Sequence, residues 1–321
     1  MSEKLVKRTT IQVLRHSITS VDGIRQAVAS SNFEVDQLSS DAVIGRKLFA
    51  DIGGVILSSG RFSGDIRAKG VFSPRDLSFG ILLEEGSGCR HWFREARQDD
   101  TGIFPAGDEH DAIYHSHASY AAVSLPEDLL LAFADKERLR LPANALRSTV
   151  ILKRCTEIGQ TLREALPTLE NAQPPHASFG AEIRDRLLTA FIRGLHESDG
   201  RPGLPRIARP ERIVQEAIAY LQRNRQRPIS VHELASTLRV PRRSLERAFI
   251  SVTSYPPATY LRVHRLNAVR RTLLNSPADA IKPVSRAATY WGFTHLGRFS
   301  AQYRQLFGEL PRTTLVERSD V

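Results

Sequence analysis

The side chains of this 321-residue chain that could do metal or nucleophilic chemistry are few and scattered. His110, His115 and His117 lie close together among acidic residues, and in a strand the last two would project from one face. A metal-binding barrel would also need a nearby Glu and a distant His, yet no acid follows His117 until Glu127. We therefore expect no metal and no cofactor, and interpret these histidines as surface or pocket residues.

The two cysteines give no support to a catalytic or zinc-binding reading. Cys89 and Cys155 are far apart in the sequence, which argues against both a disulfide framework and a Cys-rich zinc site. The sequence contains no nucleophile motif, no glycine-rich phosphate loop and no paired-carboxylate motif. We therefore expect a binding protein and not an enzyme.

The excess positive charge is concentrated at one end of the chain. The whole chain has 45 Lys and Arg against 35 Asp and Glu, and residues 211–321 hold 18 of the former and eight of the latter. A basic segment suits a polyanion, because each neutralised phosphate releases counterions, although a solvated surface is the alternative. With no long apolar run and no secretory signal, we expect a cytoplasmic protein without a membrane segment.

The sequence pattern predicts two units joined by a linker. Residues 1–197 are β-rich to about residue 125, with short apolar runs between Gly and Pro, and then helical. Helical spacing is found within Leu146–Leu166 and Ala181–Leu195. Residues 198–210 contain three Pro and two Gly, which indicates a linker. Everything from residue 211 to residue 321 is predicted to be helical.

Two helix-turn-helix units are predicted in this basic segment. In the first, Ser230 caps one helix and a second helix starts at Arg242. In the second, Gly292 supplies the turn, and Thr294 is predicted to cap the next helix, His295 to Leu306. Between them, a helix over Pro257–Leu274 would be about 25 Å long. Such a connector could hold two reading helices over successive major grooves of DNA.

Residues from about 211 to 315 resemble the AraC/XylS family of bacterial transcription regulators. The resemblance rests on three linked motifs, SVHELASTLRVPRRSLERAF, YLRVHRLNAVRRTLL and AATYWGFTHLGRFSAQYRQLFGELP. There are departures from the family pattern: Ser254 stands where the family usually has glycine, and Gly297 occupies a base-facing place. Ala301 stands where some members have a DNA-contacting Arg.

The residue types in these motifs predict how DNA would be bound. Arginine can reach guanine O6 and N7 or a phosphate, glutamate can accept from cytosine N4, and hydroxyls and helix N-termini suit phosphates. The predicted DNA-binding residues are Ser230, Arg242, Arg243, Ser244, Glu246, Arg247, Thr294, His295, Leu296, Gly297 and Arg298. The expected partner is double-stranded DNA at two adjacent major grooves, and RNA polymerase and a second copy of the chain are further candidate partners.

The resemblance also implies a role for the N-terminal unit. In this family it is often a cupin-like barrel that senses a small-molecule effector or dimerises. Trp92, Phe104 and Tyr114 could line such an effector pocket or fill the barrel core. The expected fold is therefore α+β: an N-terminal cupin-like β-barrel or sandwich with a helical segment, then an all-α domain with two helix-turn-helix motifs. The alternatives are a constitutive DNA-binding protein without effector and a metal-dependent cupin enzyme fused to a DNA reader.

Overall fold

The chain folds into a β-rich N-terminal unit and an all-helical C-terminal unit, so the expected fold class is confirmed. The computed structural model describes residues 11–27, 33–142, 146–152, 154–171, 175–197, 207–224, 227–275 and 283–316. Most of the predicted linker, residues 198–206, lies outside the described residues. None of the described helices is long and apolar enough to cross a membrane.

The strands of the N-terminal unit pair into two antiparallel sheets. They are β1 (Gln12–Ile18), β2 (Glu34–Gln37), β3 (Gly45–Asp51), β4 (Ile56–Phe62), β5 (Ile66–Val71), β6 (Leu77–Glu84), β7 (Cys89–His91), β8 (Arg94–Ala96), β9 (Thr101–Phe104), β10 (Glu109–Tyr114), β11 (Ser119–Leu125) and β12 (Val150–Leu152). The larger sheet has the order β1-β3-β4-β11-β6-β9-β12, and the smaller has the order β2-β5-β10-β7-β8. Strand β2 is therefore at an edge of the five-stranded sheet.

Helices cover the outer face of the seven-stranded sheet. The helices of this unit are α1 (Val21–Ala27), α2 (Glu127–Lys136), α3 (Thr156–Glu170) and α4 (Ala177–Glu197). The apolar sides of α2, α3 and α4 join the sheet in one buried cluster, in which Phe79 of β6 stacks on Phe191 of α4 with ring centroids 4.4 Å apart. Val21 and Ile24 of α1 belong to a separate buried cluster. Strand β6 is buried on both faces, which explains why its sequence is a continuous apolar run.

The predicted helix over residues 146–166 is wrong in its first part, and the chain is not purely helical after residue 125. Val150–Leu152 forms strand β12, which pairs with β9, and helix α3 begins only at Thr156. Periodicity cannot assign so short an apolar run, and here the open edge of β9 decides the outcome.

The C-terminal unit contains both predicted helix-turn-helix pairs. Its helices are α5 (Arg209–Arg223), α6 (Val231–Thr237), α7 (Arg242–Thr253), α8 (Pro257–Leu274), α9 (Pro283–Tyr290), α10 (Leu296–Phe307) and α11 (Pro311–Val316). The connector α8 has the predicted bounds. Helix α5 begins two residues before the expected boundary, because Pro210 fits a first helical turn, where its missing N–H costs no hydrogen bond.

The helical unit packs on the outer face of the five-stranded sheet. Leu38, Phe93 and Ile113 of the N-terminal unit belong to the same buried cluster as the helical core. Along β10, His110 and Tyr114 face a cavity between the two sheets, whereas Ile113 faces the helices. The five-stranded sheet therefore has the cavity on one side and the helical unit on the other.

Candidate functional sites

Helix α7 of the first helix-turn-helix presents basic side chains to solvent. Arg242, Arg243 and Arg247 are exposed, while Phe249 of the same helix is fully buried in the helical core. Arg242 Nε donates to Glu246 Oε1 at 3.1 Å, one helical turn away. The first helix-turn-helix thus offers three guanidinium groups on one helix, and Glu246, the predicted cytosine acceptor, is engaged by its neighbour.

The two predicted serine contacts differ in their surroundings. Ser230 is the N-cap of α6, and its Oγ accepts a hydrogen bond from the Glu233 N–H at 3.1 Å, so the predicted cap is confirmed. Ser244 lies in the first turn of α7 and is half-buried. Ser230 remains exposed, and a phosphate contact from either hydroxyl stays a prediction.

The second reading helix, α10, begins one residue later than predicted. Its N-cap is His295, in an extended conformation and without a side-chain capping bond, so the predicted cap at Thr294 is wrong. The turn before α10 is one residue longer than the turn before α7, which moves the cap away from Thr294. All the predicted contact residues of this helix-turn-helix are exposed: Thr294, His295, Leu296, Gly297 and Arg298.

Both reading helices end in a left-handed residue. Ser254 after α7 has φ 65°, and Gly308 after α10 has φ 77°. Their N–H groups donate to the carbonyls of Ile250 and Arg304. Ser254 therefore adopts the geometry that suits glycine, at a conformational cost that glycine would avoid.

A cavity of about 200 Å³ lies between the two sheets of the N-terminal unit. Of the predicted pocket residues, Tyr114 lines it. Phe104 and Trp92 pack behind the lining. The Phe104 ring centroid lies 4.8 Å from that of Phe72, and the Trp92 ring centroid lies 5.2 Å from that of Phe104. Phe104 is therefore a core aromatic, and Trp92 is a half-buried side chain packed on its ring; neither lines the cavity.

The cavity lining contains a buried cation that the sequence analysis missed. Lys47 of β3 is 4% exposed, and its Nζ donates to the Tyr120 hydroxyl at 3.1 Å. The same Nζ lies 4.9 Å from the ring centroid of Phe49. No described carboxylate lies within ion-pairing distance of Lys47. The signal was present in the sequence: Lys47 and Phe49 alternate with Leu48 and Ala50, a period of two that places the first two on one face.

His110 forms part of the cavity wall as a neutral side chain. Burial, with a smaller contribution from nearby His91, holds the pKa of His110 well below its usual range. Its Nε2 lies 3.1 Å from the Tyr114 hydroxyl. Its Nδ1 finds no hydrogen-bond partner among the described residues. The cavity lining thus combines aromatic rings and hydroxyls with the cation of Lys47 on the β3 side and the carboxylate of Asp76, which accepts a hydrogen bond from the Ser73 hydroxyl at 2.9 Å.

The other two histidines do not project from a strand as expected. Strand β10 ends at Tyr114, and His115 to His117 form a turn in which His117 has φ 67°. Asp65 organises this turn: its carboxylate accepts from the Ser116 N–H at 3.0 Å and lies 2.8 Å from His115 Nδ1. In the described part of the chain, no group of three or more His, Cys, Asp or Glu could hold a metal ion.

Buried polar contacts join the two units along α8. The Asn267 side chain is fully buried and bonds the backbone of Gln37 twice, accepting from its N–H at 3.1 Å and donating to its carbonyl at 2.8 Å. Because β2 is an edge strand, Asn267 occupies the place of a neighbouring strand. Gln37 Nε2 also donates to the carbonyl of Leu306 in α10 at 2.6 Å.

Ion pairs accompany these contacts. Arg270, 4% exposed, donates to Asp22 at 2.7 Å and pairs with Glu309 at 2.8 Å. Arg271 pairs with Asp36 of β2. Burial is the largest single influence on the Asp36 carboxyl and raises its pKa, but the nearby positive groups, first among them Arg271, together lower it more. The net pKa therefore lies below the ordinary value.

One further contact reaches the turn after the first helix-turn-helix, and another reaches the start of the connector α8. Tyr255, in the turn after α7, donates to Asp65 Oδ2 at 2.6 Å. Arg67 of β5 forms a buried pair with Asp111 at 2.6 Å and lies against Tyr260 of α8. Burial raises the pKa of Tyr260 to about 12 despite the hydrogen bond from Arg67. The N-terminal unit therefore contacts the connector and both reading halves.

Comparison with known proteins identifies the class of the helical unit. Residues 234–316 match the family described as "Helix-turn-helix domain". The chain is 40% identical over 105 residues to the XylDLEGF operon transcriptional activator 2 of Pseudomonas putida, covering 33% of this chain and 64% of that one. It is 34% identical over 168 residues to a probable thc operon regulatory protein of Rhodococcus erythropolis, covering 52% and 50%.

Solved structures of similar proteins include the AraC-like transcriptional activator CuxR, at 13% identity and a TM-score of 0.42, covering 79% of this chain and 94% of that one. A probable AraC family regulator from Rhodopseudomonas palustris matches at 29% identity with a TM-score of 0.31, covering 33% and 97%. The helical unit is a helix-turn-helix domain. It is of the AraC/XylS type, as its three motifs predicted. The chain spans less than two thirds of the length of these two curated relatives.

Proposed function

We propose that this protein is a sequence-specific DNA-binding transcription regulator controlled by a small anionic effector. The observation that carries the DNA-binding half is the pair of exposed reading helices within a helix-turn-helix domain of known type. Such a regulator acts on DNA in the cytoplasm of a bacterial cell, and RNA polymerase and a second copy of the chain are its expected partners. We assign no catalytic step to it.

Arg247 provides the test of DNA reading. If it contacts a base, Arg247→Ala weakens binding to a selected site by about 1–3 kcal/mol and relaxes specificity at one position. The site is obtained by selecting bound fragments of the source genome, and affinity is measured across a salt series. Arg193→Ala removes an equally exposed charge from α4 of the N-terminal unit and should leave affinity unchanged.

Two other outcomes are informative. Uniform weakening on all sequences assigns Arg247 to a phosphate, and an unchanged affinity removes it from the DNA interface. Failure to select any preferred sequence, with only weak and steeply salt-dependent binding, overturns the proposal of sequence-specific reading in the isolated protein.

The cavity supports the effector half of the proposal. A buried ammonium without a carboxylate partner is unfavourable, and an anionic group beside Lys47 would compensate its charge. The aromatic and apolar lining, including Phe49 and Ile66, suits an apolar body. The volume of about 200 Å³ is below that of sites for drug-sized molecules, which begin at roughly 300 Å³. A small carboxylate is the ligand class that fits.

The five-stranded sheet lies between the cavity and the helical unit and contacts both. On β5, Ile66 and Ala68 line the cavity, while Arg67 between them contacts the helical unit. On β2, Val35 lines the cavity and Asp36 pairs with Arg271 of α8. A ligand that fits one arrangement of these strands better than another shifts the balance between arrangements, and the contacts to α8 shift with it.

Thermal unfolding tests the effector half separately. A panel of short aliphatic and aromatic carboxylates is compared with the matching neutral amides. A true ligand at 100 times its Kd should stabilise the protein by about 2.7 kcal/mol, whereas its amide should not. Lys47→Met, close in volume, should abolish the response without loss of fold. If no carboxylate raises the melting temperature, the constitutive DNA-binding alternative replaces this half of the proposal.

A further inference from the structure

The two helix-turn-helix units share a hydrogen bond at the end of their first helix, and the second unit then has one extra residue before its reading helix. Val240 N–H donates to the Ala235 carbonyl at 3.0 Å, and Phe293 N–H donates to the Ala288 carbonyl at 2.9 Å. The left-handed residue of the turn is Arg239 in one, with φ 51°, and glycine in the other. The two reading helices then start at Arg242 and Leu296.

Corresponding positions of the two helices carry different chemistry. The fourth residue of each is a fully buried anchor, Leu245 in α7 and Phe299 in α10, which fixes the alignment. The exposed first, second and sixth residues are all arginine in α7: Arg242, Arg243 and Arg247. In α10 the same places hold Leu296, Gly297 and Ala301. At these three positions the second reading helix therefore lacks the guanidinium groups that the first one carries.

Glycine at position 297 has no purpose within the chain. A Cβ added to Gly297 meets nothing within 4 Å, and its φ is in the ordinary range, so neither packing nor backbone geometry requires glycine. Glycine inside a helix also lowers helix stability relative to alanine. The absence of a side chain at Gly297 is instead explained if a binding partner must approach the backbone of α10 closely.

Leu296 and Ala301 continue the exposed surface of α10 that carries no charged side chain at Gly297. Leu296 is 43% exposed, in the first turn of α10, where reading helices contact base edges. Ala301 lies one turn after Gly297 on the same face and is exposed. In the major groove the thymine methyl is the apolar feature, and apolar side chains recognise it by contact.

We propose that α10 reads an A·T base pair through contact between Leu296 and a thymine methyl group, at a close approach that Gly297 and Ala301 permit. The inference rests on the proposed DNA-binding function. The target DNA would then contain two unlike elements. The arginines of α7 would contact guanine or phosphate in one, and Leu296 of α10 would contact thymine in the other.

Replacing thymine by uracil tests the inference, since it removes only the methyl group. In the best selected fragment, each thymidine is changed in turn to deoxyuridine and the Kd is measured. One substitution should weaken binding about fourfold, the value of burying one carbon. The same substitution should have no effect on Leu296→Ala, whose affinity for the original fragment should already be reduced by a similar factor. In Arg247→Ala the uracil effect should persist, because that residue belongs to the other helix.

Gly297→Ala is an independent test, because its thermal stability and its DNA affinity should change in opposite directions. Its melting temperature should be equal to or above that of the parent, because the added methyl meets nothing in the fold. Its affinity for the selected fragment should fall about fivefold or more, because the methyl enters the space that DNA occupies. Gln305→Ala, exposed near the end of the same helix, is the matched control and should bind normally.

The outcomes separate this inference from the function on which it rests. If no fragment is selected, the proposed function fails. If a fragment is bound specifically, but uracil is neutral at every thymine or its effect survives in Leu296→Ala, the thymine contact is wrong and the DNA-binding function stands. Normal affinity of Gly297→Ala would in the same way refute the close approach.

Discussion

The contact between Asn267 and the edge strand β2 should hold the two units together. In Asn267→Ala the N–H and carbonyl of Gln37 lose their partner while remaining buried between the units. Each buried backbone group left unsatisfied costs about 1–3 kcal/mol, so the loss is about 2–6 kcal/mol of the free energy that couples the units. For a unit the size of the N-terminal one, that corresponds to a lower melting temperature by at least about 5 °C.

The two tryptophans make this loss measurable unit by unit. Trp92 lies in the N-terminal unit and Trp291 in the helical unit, and the chain contains only these two. Single-tryptophan versions, made with Trp92→Phe or Trp291→Phe, therefore report the unfolding of one unit each. In the parent the two fluorescence transitions should coincide, and in Asn267→Ala they should separate.

A second contact between the units supplies the control. Lys69 Nζ donates to Gln222 Oε1 at 3.2 Å in a position that water reaches. Gln222→Ala should therefore change the free energy of unfolding by no more than about 0.5 kcal/mol, with coincident transitions. Coincident transitions in Asn267→Ala, with a loss below about 1 kcal/mol, would refute the view that this amide closes the sheet edge.

Other expectations follow from the same structure. Ser254→Gly should raise the free energy of unfolding by about 0.5–1 kcal/mol in denaturant titrations, since glycine relieves the left-handed strain, and Ser254→Ala should bring no gain. Asp36 has a lowered pKa, so its contribution is present above the unfolded value near 3.8 and is lost as pH falls through the folded pKa. The tryptophan transitions of the parent should therefore separate only below about pH 4. In Asp36→Asn, which lacks the carboxylate at every pH, the separation should not depend on pH in this range. Cys89, whose pKa burial raises, should react with thiol reagents only on unfolding.

Local signals determined how much of the helical unit could be predicted. The bounds of α8, the cap at Ser230 and the turn at Gly292 each depend on residues within one or two turns of chain. The cap of α10 was assigned to Thr294 from its residue type and belongs to His295, because this turn is one residue longer than the turn before α7.

Contacts distant in sequence could not be predicted in the same way. Asn267 and Gln37 are separated by 230 positions, and Arg270 and Asp22 by 248. Such pairs form only when two folded units pack against each other, so the periodicity of either segment does not predict them. Lys47 belongs to an intermediate class: its strand alternation was readable, but the cavity exists only once β3 faces the second sheet.

Strand β5 separates two kinds of contact by a single residue step. Ile66 and Ala68 face the cavity, and Arg67 faces the helical unit. Mutation can therefore alter one set while the other is kept, although both are encoded within three adjacent codons. The cavity lining could therefore change during evolution without disturbing the contact that holds the helical unit. The exposed faces of α7 and α10 are encoded elsewhere and could change independently of both.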